Sequence, residues 1–319
     1  MRHLLDSIEV FYDHLSAVDF RWIAVALFLH FLRSLAISRA WRNVIKEAYP
    51  DERVRWRTIW GAYLAGVGVN ALIPARAGDA VRLYLVKHRV DNSTYTTLAS
   101  SLGVMAIFDI TAALALFVYA LTQGVLPSIH VVPNLPSFDF GWLLQHTRLS
   151  ITVAVVIVIA LVVGYFWAAR HVRAFKERVA QGFAVLREPR RYLRRVALWQ
   201  AVDWTTRIAE TFFFLKAFHI VATVHNALIA QVAQSASTAL PITPGGIGTE
   251  QALLVVVLAG AASKTALVAF SVGVKITVTA ANVVVGFLAL LIMARTIDFR
   301  EIKRRRQAEE AAASAVPPG

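Results

Sequence analysis

Residues 265–294 read TALVAFSVGVKITVTAANVVVGFLALLIMA, and the only charge in the run is Lys275. As a helix, that run measures about 45 Å, whereas a hydrocarbon core about 30 Å thick needs roughly 20 apolar residues to span it. Residues 150–168, SITVAVVIVIALVVGYFWA, carry no charge, and Thr97 to Thr122 carries only Asp109. Shorter or more polar candidates are Ile23–Ile37, Ile59–Ile73, Val196–Phe218, Ala227–Leu240 and Ile247–Ala262. None of these runs alternates apolar and polar residues, as strands of a transmembrane barrel do. The expected class is therefore an all-α polytopic membrane protein with seven to eight hydrophobic segments. The composition agrees. Charged residues make up 17% of the 319, against about 25% in an ordinary soluble domain.

The charge distribution orients the chain. Lys and Arg number six in 39–57, nine in 170–195 and six in 295–306, but Gln123 to Leu149 holds only Arg148. Basic loops mark the cytoplasmic side, so the C-terminus is expected there, in a multi-pass protein of the cell membrane. The net charge of +13 is then a topology signal, and no nucleic-acid recognition module accompanies it. Residues 76–89 hold four further basic residues, which places them on the same side as 39–57. A complete span at Ile59–Ile73 would separate those two loops. A re-entrant segment removes the conflict, and the pair Ala227–Leu240 and Ile247–Ala262 fits a second one entering from the opposite side. The reading is five full spans plus two re-entrant elements arranged as an inverted pseudo-repeat, with eight ordinary spans as the alternative. Residues 1–19 form an amphipathic lead-in, 20–296 a single transmembrane domain, and 297–319 a basic, then disordered tail. The acids Asp6, Glu9, Asp13 and Asp19 interrupt any signal-peptide core.

Two interruptions, at 70–82 and 239–250, carry the chemistry. The first holds Asn70, Pro74, Arg76, Gly78, Asp79 and Arg82; the second holds Pro244, Gly245, Gly246, Gly248 and Glu250. In each, a proline precedes a glycine by four places and an acid follows. Proline ends a helix and glycine lets the chain turn, so each is a helix–break–helix unit. Paired breaks of this kind in two halves point to a binding site at an inverted-repeat interface. Free N–H groups at the new helix starts, from Gly78 and from Gly248 onward, suit an anion. Arg76 and Arg82 add a planar fork matched to phosphate. Asp79 and Glu250 then cap the helix dipole or take a cationic group. Two ordinary tight turns with solvated arginines are the bland alternative.

Ionisable residues within spans usually face a cavity or a partner. Asp203, Arg207 and Glu210 share one helical face and either pair with one another or wall a polar cavity. Lys275 calls for an acid, with Asp109 and Glu250 as candidates, and Asn282 lies two turns further along its face. His30 and Arg33 are three residues apart, with Arg33 expected to snorkel toward the cytoplasm. Gln231 and Gln234, with Ser235, Ser237 and Thr238, make their segment too polar for lipid. No cysteine is present, which excludes thiolate metal sites. No metal site, cofactor or catalytic motif is expected: Gly245-Gly-Ile-Gly lacks the Lys-Ser or Lys-Thr of a P-loop, and Gly66-x-Gly68 lacks the third glycine of a dinucleotide site.

Asn70-x-x-x-Pro74-x-Arg76-x-Gly78-Asp79-x-x-Arg82 resembles the Asn-x-x-x-Pro-x-Arg-x-Gly-Glu-x-x-Arg motif of the lysylphosphatidylglycerol synthase transmembrane (flippase-like) family. Leu240-Pro-Ile-x-Pro244-Gly-Gly-Ile-Gly is similar to that family's second motif, with Glu250 one place early, and Trp41-Arg42 is similar to its aromatic-Arg signature. The likeness covers roughly residues 30–295. It implies a membrane-embedded unit that binds or translocates a lipid headgroup, anionic or phosphate-bearing. The sequence departs from the family where Met105-Ala106 replaces Glu-Arg before Asp109, and where the family's usual first span has no counterpart. The soluble aminoacyl-transferase domain of the full synthases is also not in these 319 residues, so lysyl transfer is not expected. The alternatives are a membrane enzyme acting on a lipid-linked substrate, with Asp79, Glu250 or Asp203 as acid or base, and a non-catalytic partner of a separate transferase.

Overall fold

A computed structural model describes residues 18–73, 77–123, 173–239 and 248–295. The apolar run 150–168, the lead-in up to residue 17 and the tail from 296 lie outside the described residues. Those described are helical, with no β-strand.

Helix α1 (Phe20–Ala48) starts where the Asp19 carboxylate accepts the Arg21 N–H at 2.9 Å, capping a donor that the first turn leaves open. It is followed by α2 (Trp56–Leu72), α3 (Ala77–Lys87) and α4 (Tyr95–Thr122). Helix α5 (Arg173–Gly182) leads through a 3-10 turn (Ala184–Arg187) to the one-turn α6 (Pro189–Tyr192), which Pro189 opens. A π turn (Leu193–Ala197) joins α6 to α7 (Leu198–Ala217). Last come α8 (Val224–Ala239), α9 (Thr249–Val257) and α10 (Lys264–Arg295).

Three described helices are long and apolar enough to cross a membrane: Phe20–Ala48, Tyr95–Ala120 and Lys264–Met293. At 1.5 Å per residue, α2 and α8 measure about 25 Å, α3 about 17 Å and α9 about 14 Å, all short of a core about 30 Å thick. The segment expected at Ile247–Ala262 is helical only over Thr249–Val257. Exposed Leu114, Phe117 and Val118 on α4, and Ile276, Val284, Phe287 and Ile292 on α10, form the apolar surfaces that lipid chains would cover.

Helices α1 and α7 run antiparallel along their full lengths. The Asp19 N–H donates to Ala217 O at 3.0 Å at one end, and Asn43 Nδ2 donates to Arg195 O at 2.6 Å at the other. Helix α2 crosses α10 backbone to backbone: a Cβ placed on Gly286 would collide with Gly68 Cα. Close crossings at small residues are the usual means of helix association where burial from water supplies no driving force. Helices α2 and α3 fold back on each other just as tightly, since a Cβ on Gly78 would collide with Gly66 O. The Gly66-x-Gly68 pair thus serves two helix contacts, one on each side of α2.

Apolar packing is split in two. One cluster holds Trp41, Ile45, Ile59 and Leu98; the other holds Phe214, Leu215, Ile229, Leu254 and Phe270. Between the two clusters lie the charged and polar residues that face inward: His30 and Arg33 on α1, Asp109 on α4, Arg207 and Glu210 on α7, and Lys275 on α10. Each long helix therefore places its inward-facing charge in a layer between the two apolar clusters. The middle layer is the site.

Candidate functional site

A cavity of about 900 Å³ occupies that layer. Eight helices, α1–α4 and α7–α10, contribute to its wall. Of the residues singled out from the sequence, Asn70, Asp79, Arg82, Asp109, Arg207, Glu210, Gln231, Gln234, Glu250 and Lys275 all line it. The two broken segments, some 170 positions apart in the chain, thus meet at one hollow. Pro74, Arg76, Pro244, Gly245 and Gly246 lie outside the described residues.

At the first break, Asn70 closes the turn. Its Oδ1 accepts the Gly78 N–H at 2.7 Å and its Nδ2 donates to Asp79 Oδ1 at 3.3 Å. Asp79 also pairs with Arg82 at 3.1 Å, and the Arg82 guanidinium stands 5.4 Å from the centre of the Trp41 ring. Arg82 Nε is buried with no hydrogen-bond partner among the described residues. At the second break, the Gly248 N–H donates to Gln251 Oε1 at 2.7 Å, and its φ of 88° needs a residue without Cβ. The expectation that the Gly78 and Gly248 N–H groups are open to an anion is therefore corrected. Each is already capped by a side chain three or eight residues away, because a helix start in an apolar setting cannot leave its donors bare. The Arg82 guanidinium keeps an unused donor.

The intramembrane charges form a lattice across helices. Arg33 Nε donates to Asp203 Oδ1 at 3.1 Å and its Nη1 to Glu210 Oε2 at 3.2 Å. Arg33 thus turns inward to α7, and the snorkelling expectation is corrected: two buried acids outweigh the pull of the interface. Arg207 pairs with Asp203 at 3.1 Å, one turn away, and lies 4.7 Å from the Trp204 ring centre. Glu210 makes no such local pair with Arg207; its second oxygen meets His30 Nδ1 at 2.9 Å. Asn282, placed beside Lys275 by helical spacing, instead meets His30 Nε2 at 2.8 Å. Lys275 pairs with Glu250 at 3.3 Å, one of the two partners expected for it. Asp109, the other, accepts from Trp204 Nε1 at 2.9 Å.

Gln231 is buried, donating to Thr211 Oγ1 at 2.6 Å and to Gln234 Oε1 at 3.0 Å, which makes its helix a wall of the site rather than a lipid face. Met105, standing where the related motif has an acid, offers its carbonyl to Gln200 Nε2 at 2.9 Å. Tyr63 also lines the cavity. Its sequence surroundings, apolar with no break, gave no signal for that.

The charges of the wall and of Asp203 behind it nearly cancel. Arg33, Arg82, Arg207 and Lys275 stand against Asp79, Asp109, Asp203, Glu210 and Glu250. Such a hollow can take a headgroup that exchanges partners with existing ion pairs, phosphate to guanidinium and amine or hydroxyl to carboxylate. No curated protein and no solved structure matches the chain. The family model described as lysylphosphatidylglycerol synthase TM region matches residues 7–286, beginning well before the first motif, and the chain belongs to that family.

Proposed function

We propose that this protein binds the polar or anionic headgroup of a membrane lipid in its central cavity and carries it across the bilayer. The acyl chains stay in the surrounding hydrocarbon. The observation that carries this reading is the convergence of Asn70, Asp79 and Arg82 from one broken segment with Glu250 from the other on a single charged cavity of about 900 Å³. A volume near the upper end of ordinary ligand sites accommodates a phospholipid headgroup. Ionisable groups at membrane depth are costly, and a path for a polar cargo is a common reason for keeping them.

In this reading the short helices α2, α3, α8 and α9 are two re-entrant elements that enter from opposite sides, related as an inverted pseudo-repeat and accompanied by five full spans. The basic loops and the C-terminus face the cytoplasm of the cell. Arg82 holds phosphate through the donor it has unused, and Arg76 of the same motif adds a second cation. Glu250 and Asp109 receive the headgroup's hydroxyl or amine.

The test is lipid movement in liposomes, followed with fluorescent anionic and zwitterionic lipids and an outer-leaflet quencher. Wild type is expected to expose inner-leaflet label faster than empty vesicles, and Arg82→Ala to slow it. Rates equal to those of empty vesicles for every lipid, with and without an ion gradient, would sink the reading.

A further inference from the structure

His30 stands about 15 Å along α1 from its start, near mid-membrane depth, and its ring ties three helices together. Nδ1 lies 2.9 Å from Glu210 Oε1 on α7, and Nε2 lies 2.8 Å from Asn282 Oδ1 on α10. His30 and Glu210 both line the cavity, so water or cargo there reaches the pair. Glu210, held by Arg33, is an acceptor, so Nδ1 carries a hydrogen. Nε2 faces an amide that serves either state: the Asn282 oxygen accepts when Nε2 is protonated, and its NH₂ donates when Nε2 is bare. A proton can therefore come and go with one amide rotation and no lost hydrogen bond. The balance is simple. An N–H bond forms on the Nε2 lone pair as a proton leaves hydronium, and the reverse step returns it to water.

The charge around the ring gives that proton a purpose. Arg33 on α1 and Arg207 on α7 face Asp203 and Glu210 on α7 and Asp109 on α4. Asp79 with Arg82 on α3, and Glu250 with Lys275 on α9 and α10, cancel pairwise. Tyr63 on α2 is neutral as a phenol. Counted with every acid ionised, the described lattice is short of one positive charge, and an uncompensated charge at membrane depth is costly. A proton on His30 supplies it.

The geometry points to a proton-binding site at His30, Glu210 and Asn282 that couples proton flow to the cargo of the cavity. The protein then works as a proton-coupled carrier rather than a passive path. This site rests on the translocation reading above. Loading His30 favours one charge state of the cavity and unloading the other, so cargo and proton bind cooperatively.

The experiment uses the full chain in liposomes of phosphatidylethanolamine and phosphatidylglycerol, with the labelled lipids already named, at equal pH and across a pH gradient. For one proton per lipid, wild type is expected to shift the steady-state lipid distribution by up to about tenfold per pH unit of gradient. A protonophore should abolish that shift. In His30→Gln the ratio of movement with and without the gradient should fall to about one, the value for transport in which the gradient does no work. Asn282→Asp, which puts a carboxylate on each side of the ring and holds the proton, should lose the gradient response as well, and it serves if His30→Gln does not fold. Wild-type movement indifferent to the gradient overturns the proton site and leaves translocation standing, as does a gradient response retained in either variant. No movement of any lipid overturns both.

Discussion

Arg33 Nε donates to Asp203 Oδ1 at 3.1 Å, joining α1 to α7 across 170 positions of chain. Asp203 is 1% exposed and also holds Arg207, so one carboxylate compensates two guanidinium groups inside the bundle. Removing one partner of a buried ion pair leaves the other uncompensated, which costs about 3–5 kcal/mol. Asp203→Ala should lower the melting temperature in detergent by several degrees, and Arg33→Met combined with Asp203→Leu should not restore it, because Arg207 then lacks Asp203 and Glu210 lacks Arg33. A single variant as stable as wild type would show that water already compensates these charges.

Arg82 offers the cleanest test of the phosphate site, because its Nε has no partner among the described residues and its guanidinium stacks over Trp41. A charge-assisted hydrogen bond is worth about 1.5–3 kcal/mol, or roughly 10–100-fold in affinity. Arg82→Ala should weaken binding of a phosphate-bearing lipid by about that factor in a titration of detergent-solubilised protein, with Arg82→Lys intermediate because it loses the planar fork. Unchanged affinity in Arg82→Ala would move the phosphate elsewhere.

Glu250 and Lys275 meet at 3.3 Å on the cavity wall, with the lysine side chain 43% exposed. An ion pair this open contributes about 0.2–1 kcal/mol, so either single substitution should barely change stability. Both should slow lipid movement if the pair trades partners with the headgroup. The exchanged pair Glu250→Lys with Lys275→Glu should recover more activity than either single change. Equal activity in all four proteins would make the pair structural decoration.

Gly66 and Gly78 bring α2 and α3 into backbone contact. A valine at Gly66 would push its Cβ against Gly78 O, 2.7 Å away, and overpacking of this kind costs about 1–3 kcal/mol. Gly66→Val should reduce the yield of monodisperse protein in size-exclusion chromatography and lower its melting temperature. Wild-type behaviour would mean that the hairpin opens without penalty.

The sequence by itself determined the solvent and the elements. Runs such as 265–294 and 97–122 are too long and too apolar for anything but a bilayer, and the helices α10 and α4 occupy them almost residue for residue. Proline and glycine spacing marked where α2 and α9 stop and start, because backbone limits at those residue types are local. Charges within spans identified the site's members, since burying them has a cost wherever they go. What the sequence left open was who meets whom. Helical spacing put Asn282 beside Lys275 and Glu210 beside Arg207, yet Asn282 and Glu210 both close on His30, 252 and 180 positions away. It also left the N–H groups of Gly78 and Gly248 bare, where Asn70 and Gln251 cap them. Periodicity fixes the face a side chain occupies, but the face opposite depends on how helices cross. Those crossings are set by backbone contacts such as Gly68 against Gly286, between segments more than 200 residues apart, and only the tertiary structure decides them.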